Sequence, residues 1–418
     1  MSPRTNASPE ITFALKLAKA LHRYGTPAHR LEDVLVALSD RLGVQGSFFS
    51  TPTALFASFE GGGEESTHMQ RFQDSDTDLG KLSDLDALFN DVWFQRIDLE
   101  EAARRVDQLI AAPPRYGRLA VFLSFGLASG GAARFFGGGL AEMLLATLAG
   151  FGLGLVVFAR ARLPWLKRLF EPVGALVVTL IVMAGVACWP GASADQAILG
   201  GLIVMVPGFS LTVAITELAT RHLVSGTARM SASLVLLLML GFGVIFGQQL
   251  GTLMFGAAVS ATPTALPEWT VYATLPVAAA TISLLFQVPL RDFPWVFLVS
   301  MAGFLGVKGG SEWLGPRLAQ DLADPHFGSK LGVFLGALLV GAGSNLYANL
   351  LDRPASVTRL PGMLFLVPGG FSFLSISDMM QGNALQGLET AFQVAVILTS
   401  LVVGFLVSNA LVPPRKIL

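Results

Sequence analysis

A short pattern occurs twice in this chain. Val206-Pro207-Gly208 is followed by Glu217 and Gly226, and Val367-Pro368-Gly369 by Asp378 and Gly387. Each matched pair is 161 positions apart (368 minus 207). Both copies lie in apolar stretches. A proline inside a helix removes a backbone donor and clashes with the preceding turn. In lipid, the freed carbonyls need a partner inside the protein or in a water-filled cavity. Paired, interrupted helices in matching positions of two halves point to a transporter built from repeats, with its solute site where the repeats meet.

Composition agrees with a membrane setting. The 418 residues are 53% hydrophobic and 14% charged, with mean hydropathy +0.62, whereas a soluble chain carries about 25% charged residues. Charge is unevenly divided. Residues 1–117 hold 12 Lys and Arg against 17 Asp and Glu, and the remainder holds 16 against 12. The sole cysteine, Cys188, excludes a disulfide framework and a cysteine metal centre. The five histidines show no metal-binding spacing, and no cofactor is expected. No basic stripe points to nucleic acid. The first long apolar stretch begins after Tyr116, so no signal peptide is expected.

Residues 1–117 read as an acidic α+β domain. Apolar residues recur at helical spacing over 10–24 and 27–42, divided by Gly25-Thr26-Pro27. Strands are predicted at 48–49, 53–59 and 67–72, with Gly61-Gly62-Gly63 as a turn. Amphipathic helices follow at 79–94 and 99–112, closed by Pro113-Pro114.

From residue 118 the apolar runs suffice to cross a hydrocarbon core, which takes roughly 20 residues. Ten spans are expected, near 118–137, 140–159, 170–190, 196–216, 230–252, 270–289, 293–308, 330–350, 360–378 and 390–412. The loop 160–168 has four positive charges and no negative one, which holds it in the cytoplasm. Both termini then fall on that side. Five spans per half make the second half enter the membrane from the opposite face, giving an inverted 5+5 repeat of 118–260 and 261–418. Ala149-Gly150-Phe151 and Ala302-Gly303-Phe304 echo one another within it.

Candidate site residues follow from this frame. Pro207, Gly208 and Ser210 in one copy, and Pro368, Gly369 and Ser372 in the other, offer open backbone and hydroxyls to a small polar solute. A carboxylate at mid-membrane costs at least ~2.5–3.5 kcal/mol and is retained mainly for ions, protons or substrate. Glu217 and Asp378 are therefore candidate proton carriers, the alternative being an ordinary interfacial position. Glu142 is a weaker candidate of the same kind. Arg134 either snorkels to headgroups or binds a carboxylate, and Asn345 is either interhelical glue or cavity lining. Glycines four apart (Gly126/Gly130, Gly243/Gly247/Gly251, Gly332/Gly336) favour close packing within one chain over a homo-oligomer interface. The N-terminal segment presents no nucleophile–base pair, so an enzyme is not expected, the alternative being a membrane-anchored enzyme with a catalytic N-terminal domain.

Several of these segments resemble the threonine/serine exporter family. In the N-terminal segment they are Tyr24-Gly25, Arg30-Leu31-Glu32, Thr51-Pro52-Thr53, and 99–116 with its Pro113-Pro114-Arg115-Tyr116 end. Val206-Pro207-Gly208 with His222 to Arg229 resembles the first membrane half of that family, and Val367-Pro368-Gly369 with Gln386-Gly387 the second. The resemblance implies an inner-membrane, proton-driven exporter of amino acids such as threonine and serine. Two-subunit relatives are linked to dicarboxylates such as succinate, which keeps that substrate class open. The family's N-terminal domain has been likened to a hydrolase; without a nucleophile–base pair here, that activity is not carried over.

Overall fold

The computed structural model describes residues 8–61, 64–72, 76–189, 191–256, 262–318, 327–367 and 369–414. Pro368, Gly62-Gly63 and the Arg415-Lys416 tail lie outside the described residues.

The N-terminal elements are α1 (Pro9–Arg23), α2 (Ala28–Leu42), β1 (Gln45–Thr51), β2 (Ala54–Gly61), β3 (Glu64–Arg71), α3 (Leu79–Trp93) and α4 (Leu99–Ala111). Their limits follow from end chemistry. Ser8 caps α1 ahead of a proline at its first position, Gly43 ends α2 in the left-handed region, and Asp98 Oδ1 accepts from Glu101 N–H at 2.7 Å to start α4. The three strands form an antiparallel sheet in the order β1-β2-β3. Alternation sorts β2: Leu55, Ala57 and Phe59 are buried under the helices, while Phe56 is exposed in one row with Phe49 and Met69. Phe13, Leu17, Leu31, Leu35 and Leu38 complete this core at no measurable exposure. Each such side chain is worth about 1.5–3 kcal/mol of burial. β1 and β3 run longer than predicted, because polar strand residues such as Gln45, Ser47, Thr67 and His68 carry no apolar signal.

The first membrane set comprises α5 (Arg118–Phe135), α6 (Leu140–Arg160), α7 (Phe170–Cys188), α8 (Ala194–Leu202), α9 (Gly208–Ala219) and α10 (Leu223–Phe255). The second comprises α11 (Trp269–Leu285), α12 (Phe293–Lys308), α13 (Gly315–Leu318), α14 (Phe327–Leu351), α15 (Ser356–Leu364), α16 (Gly369–Met380) and α17 (Ala384–Leu411). Among the described residues, six helical stretches are long and apolar enough to cross a bilayer alone, and a seventh crossing results if α15 and α16, bent by 42°, count as one. The protein is thus a multi-pass helical membrane protein. The continuous span expected at 196–216 is two helices instead, α8 and α9, divided beside Pro207. Proline fixes the backbone and withholds a donor there, and Pro207 serves as the N-cap of α9.

The numerical repeat extends into geometry. α16 starts and ends 161 residues after α9 (369 minus 208, 380 minus 219), and α17 starts 161 after α10 (384 minus 223). The intervening turns match as well. Arg221 and Gly382 take positive φ, 66° and 97°. His222 N–H bonds to Glu217 O at 2.8 Å, and Asn383 N–H to Asp378 O at 2.9 Å. Gly226 lies against Leu218 and Gly387 against Met379, each too closely for a methyl group. The glycine ladders are used within the chain: Gly243, Gly247 and Gly251 face α7, and Gly332 and Gly336 face α12 and the turn after it.

Candidate functional site

The two helix breaks meet. A methyl group built on Gly208 would lie 2.7 Å from Val367 Cγ1 and 3.6 Å from Gly369 Cα. One built on Gly369 would lie 3.1 Å from Val206 Cγ1 and 3.5 Å from Gly208 Cα. Each glycine is therefore covered by the valine at the start of the other copy. Such reciprocity, with i touching j′ and i′ touching j, is what a two-fold relation produces.

This contact lies in the wall of a cavity of about 1740 Å³. Its lining reaches from Arg118 to Phe135, the first and last residues of α5, and includes parts of both membrane sets and of the N-terminal elements. Apolar side chains predominate, with Thr281 and Gln287 among the polar ones, the usual make-up of a small-molecule site. Of the residues singled out from sequence, Pro207, Gly208, Ser210 and Gly369 line it. Glu217, Ser372 and Asp378 are not among the lining residues. Ser372 is buried in α16, and Asp378 is partly exposed near its end.

Glu217 has no exposed surface and is fully engaged. Its carboxylate accepts from Ser225 Oγ at 2.8 Å, from Arg229 Nε at 3.1 and 3.2 Å, and from Ala28 N–H at 3.0 Å. The α9–α10 turn folds Ser225 and Arg229 back over Glu217, and Ala28 brings the first turn of α2, whose free N–H favours an anion. Glu32 lies 3.4 Å from His222 beside it. His29, whose ring centre is 5.8 Å from that of His222, is held down to about pKa 4 by burial and then by Arg30, His222, Arg359 and Arg229. Glu217 thus joins the N-terminal elements to the first membrane set. Sequence spacing alone does not find this contact, because Ala28 is 189 positions away.

A second junction reaches the other set. Leu79 N–H bonds to Phe286 O at 2.9 Å, Tyr116 N–H to Gln287 Oε1 at 2.9 Å, and Tyr116 OH to Val288 O at 2.5 Å.

The remaining candidates serve as ties. Glu142, 1% exposed, accepts from Gly139 N–H at 2.8 Å and Ser193 N–H at 2.7 Å, securing the starts of α6 and α8. Arg134 donates to Thr270 Oγ1 at 2.7 Å and to Leu266 and Pro267 carbonyls, linking α5 to the approach to α11. Asn345 donates to Asn409 Oδ1 at 3.0 Å and Val412 O at 2.7 Å and accepts from Arg359 at 2.5 Å, drawing α14, α15 and α17 together. Among the described residues, no His, Cys, Asp and Glu cluster suits a metal ion.

Interrupted helices walling a cavity in a multi-pass helical protein define a membrane transporter class. The chain belongs to the threonine/serine exporter family. Residues 12–251 match the family described as "Putative threonine/serine exporter", and residues 271–411 match "Threonine/Serine exporter, ThrE". Curated relatives include Pheromone-regulated membrane protein 10 of Debaryomyces hansenii, 28% identical over 91% of this chain and 37% of that protein. The protein of that name in Saccharomyces cerevisiae is 25% identical over 91% of this chain and 48% of its own length. The chain thus spans between about a third and a half of these relatives. No solved structure matches it.

Proposed function

We propose that this protein is a secondary exporter of small polar metabolites, threonine and serine first, driven by protons across a bacterial inner membrane. The observation that carries this reading is the reciprocal contact of Gly208 and Gly369 in the cavity wall. In this reading α8–α9 and α15–α16 are broken spans, and with the six long helical stretches and the shorter α5 and α11 they make ten crossings in two inverted sets. Both termini face the cytoplasm, as the positive 160–168 loop requires. Solute binds beside the two breaks, and rocking of the sets alternates access.

Asp378 is the preferred proton carrier. Glu217 already has a guanidinium, a hydroxyl and a backbone N–H on its carboxylate, whereas Asp378 occupies the matching place in α16 and is partly exposed. The N-terminal elements serve transport and not catalysis. In support, His22 spends its Nε2 on the Pro52 carbonyl at 3.1 Å and its ring face on Phe72.

Proteoliposomes loaded with L-threonine, L-serine or succinate test the assignment. The expected result is efflux of the two amino acids, accelerated by an inward proton gradient. Efflux of succinate alone transfers the assignment to dicarboxylates, and movement of none of the three overturns the exporter reading.

A further inference from the structure

Where the cavity meets the N-terminal elements, its wall changes character. Arg23, Tyr24, Asp76, Asp78 and Lys81 line it there. Arg23 and Tyr24 close α1, and Asp76 is held beside them by its N–H bond to Arg23 O at 2.8 Å. The same strip is joined to the end of α11 by the Leu79–Phe286 bond, which seats this polar ring against the membrane helices.

Two polar groups in the ring are unused. Tyr24 is 2% exposed, and its buried hydroxyl makes no hydrogen bond; the buried Nε of Arg23 makes none either. Buried donors are nearly always satisfied, and one left without a partner is costly. Burial raises the Tyr24 pKa, with Asp78 and Asp76 adding to the rise against Arg23, so the hydroxyl remains a donor. The neighbours differ in how far they are committed. Asp78 caps α3 by accepting from Lys81 N–H at 2.9 Å, and Lys81 Nζ donates to Ala112 O at 2.6 Å. The Asp76 side chain is exposed at the rim. An unpartnered guanidinium Nε, an unpartnered hydroxyl and an exposed carboxylate therefore border one opening.

We propose that Arg23, Tyr24 and Asp76 form an entry site for a zwitterionic α-amino acid. Arg23 and Tyr24 donate to its carboxylate, and Asp76 accepts from its ammonium group. A dicarboxylate meets the first two equally well but sets a second negative charge against Asp76, and this repulsive contact supplies the discrimination. The site rests on the exporter reading and deepens it by assigning the residues that select an amino acid over a dicarboxylate, but its binding chemistry can be measured without transport.

The test is calorimetric titration of L-threonine and of succinate into the purified full chain, comparing wild type with Asp76→Asn, Tyr24→Phe and Arg23→Gln. Asp76 is exposed and Tyr24→Phe keeps the buried ring, so both variants retain the fold. Each variant is expected to bind threonine about tenfold more weakly, and Asp76→Asn to lose the preference for threonine over succinate. Threonine affinities within about twofold of wild type in all three variants overturn the site, as does a wild type that binds no threonine or binds succinate equally well. Threonine binding with the expected losses, but no efflux from proteoliposomes, leaves the entry site standing and removes the exporter reading.

Discussion

Gly208 and Gly369 lie back to back, near enough that a methyl group on either would come within 3.6 Å of the other's backbone. The Gly208→Ala methyl also meets Val367 Cγ1, a branched side chain with little room to turn. We expect Gly208→Ala to cost about 1–3 kcal/mol, in line with overpacking elsewhere, and to abolish solute efflux. Gly369→Ala, with its nearest contact at 3.1 Å, should cost less. Thermal unfolding of the purified variants ranks the two, and equal melting points would show that the contact is not tight.

Glu217→Gln should loosen the N-terminal elements. The substitution keeps a hydrogen-bond acceptor for Ala28 and Ser225 but leaves Arg229, whose side chain is 22% exposed, without its anion. Loss of one member of a largely buried pair is expected to cost about 1–3 kcal/mol here, below the full-burial figure because Arg229 keeps some water. Faster proteolytic cutting at the exposed Pro113-Pro114 segment is the readout, and an unchanged rate would contradict the junction.

Asp378→Asn is expected to uncouple transport from protons while sparing the fold, since the residue is partly exposed. Efflux should persist down a threonine gradient but lose its response to an imposed pH gradient. A variant still accelerated by that gradient would remove Asp378 from the proton path.

Acid should destabilise the N-terminal elements through two histidines. His22 is held at about 4 by burial and then Arg229, the Pro52 carbonyl opposing, and His29 is held at about 4 likewise. Between about 6.5 and 4 the unfolded chain binds protons that the folded chain refuses, so stability falls as pH drops through that window. By pH 4 each histidine contributes a loss of at most about 3 kcal/mol, and His29→Gln should flatten the profile. Melting curves recorded from pH 7 to 4 decide it; a flat wild-type curve would refute the assignment.

The helices and their breaks were legible because their signals are local. Apolar periodicity marked α1 to α4, and proline with glycine marked both interruptions. The same repeat arithmetic that located Pro207 and Pro368 also locates the turns at Arg221 and Gly382. What stayed hidden was non-local. Nothing in the spacing of Glu217 announces Ala28, and a carboxylate retained for a tie reads like one retained for a proton. Glu142 shows the same ambiguity, since two backbone N–H groups at the starts of α6 and α8 account for its burial. The polar ring around Tyr24 was equally invisible, because it forms only when α1 and α3 are seated on α11.

The N-terminal elements are fastened at Glu217 on one membrane set and at Phe286 and Gln287 on the other. In the rocking mechanism proposed above, a compact body pinned to both sets behaves as a crossbar. Any relative rotation of the sets must be absorbed by flexing the crossbar, by yielding one pin, or by stopping. The weaker pin therefore sets the amplitude of the stroke, and the pin built from ionisable groups is the one whose strength the surrounding solution can adjust.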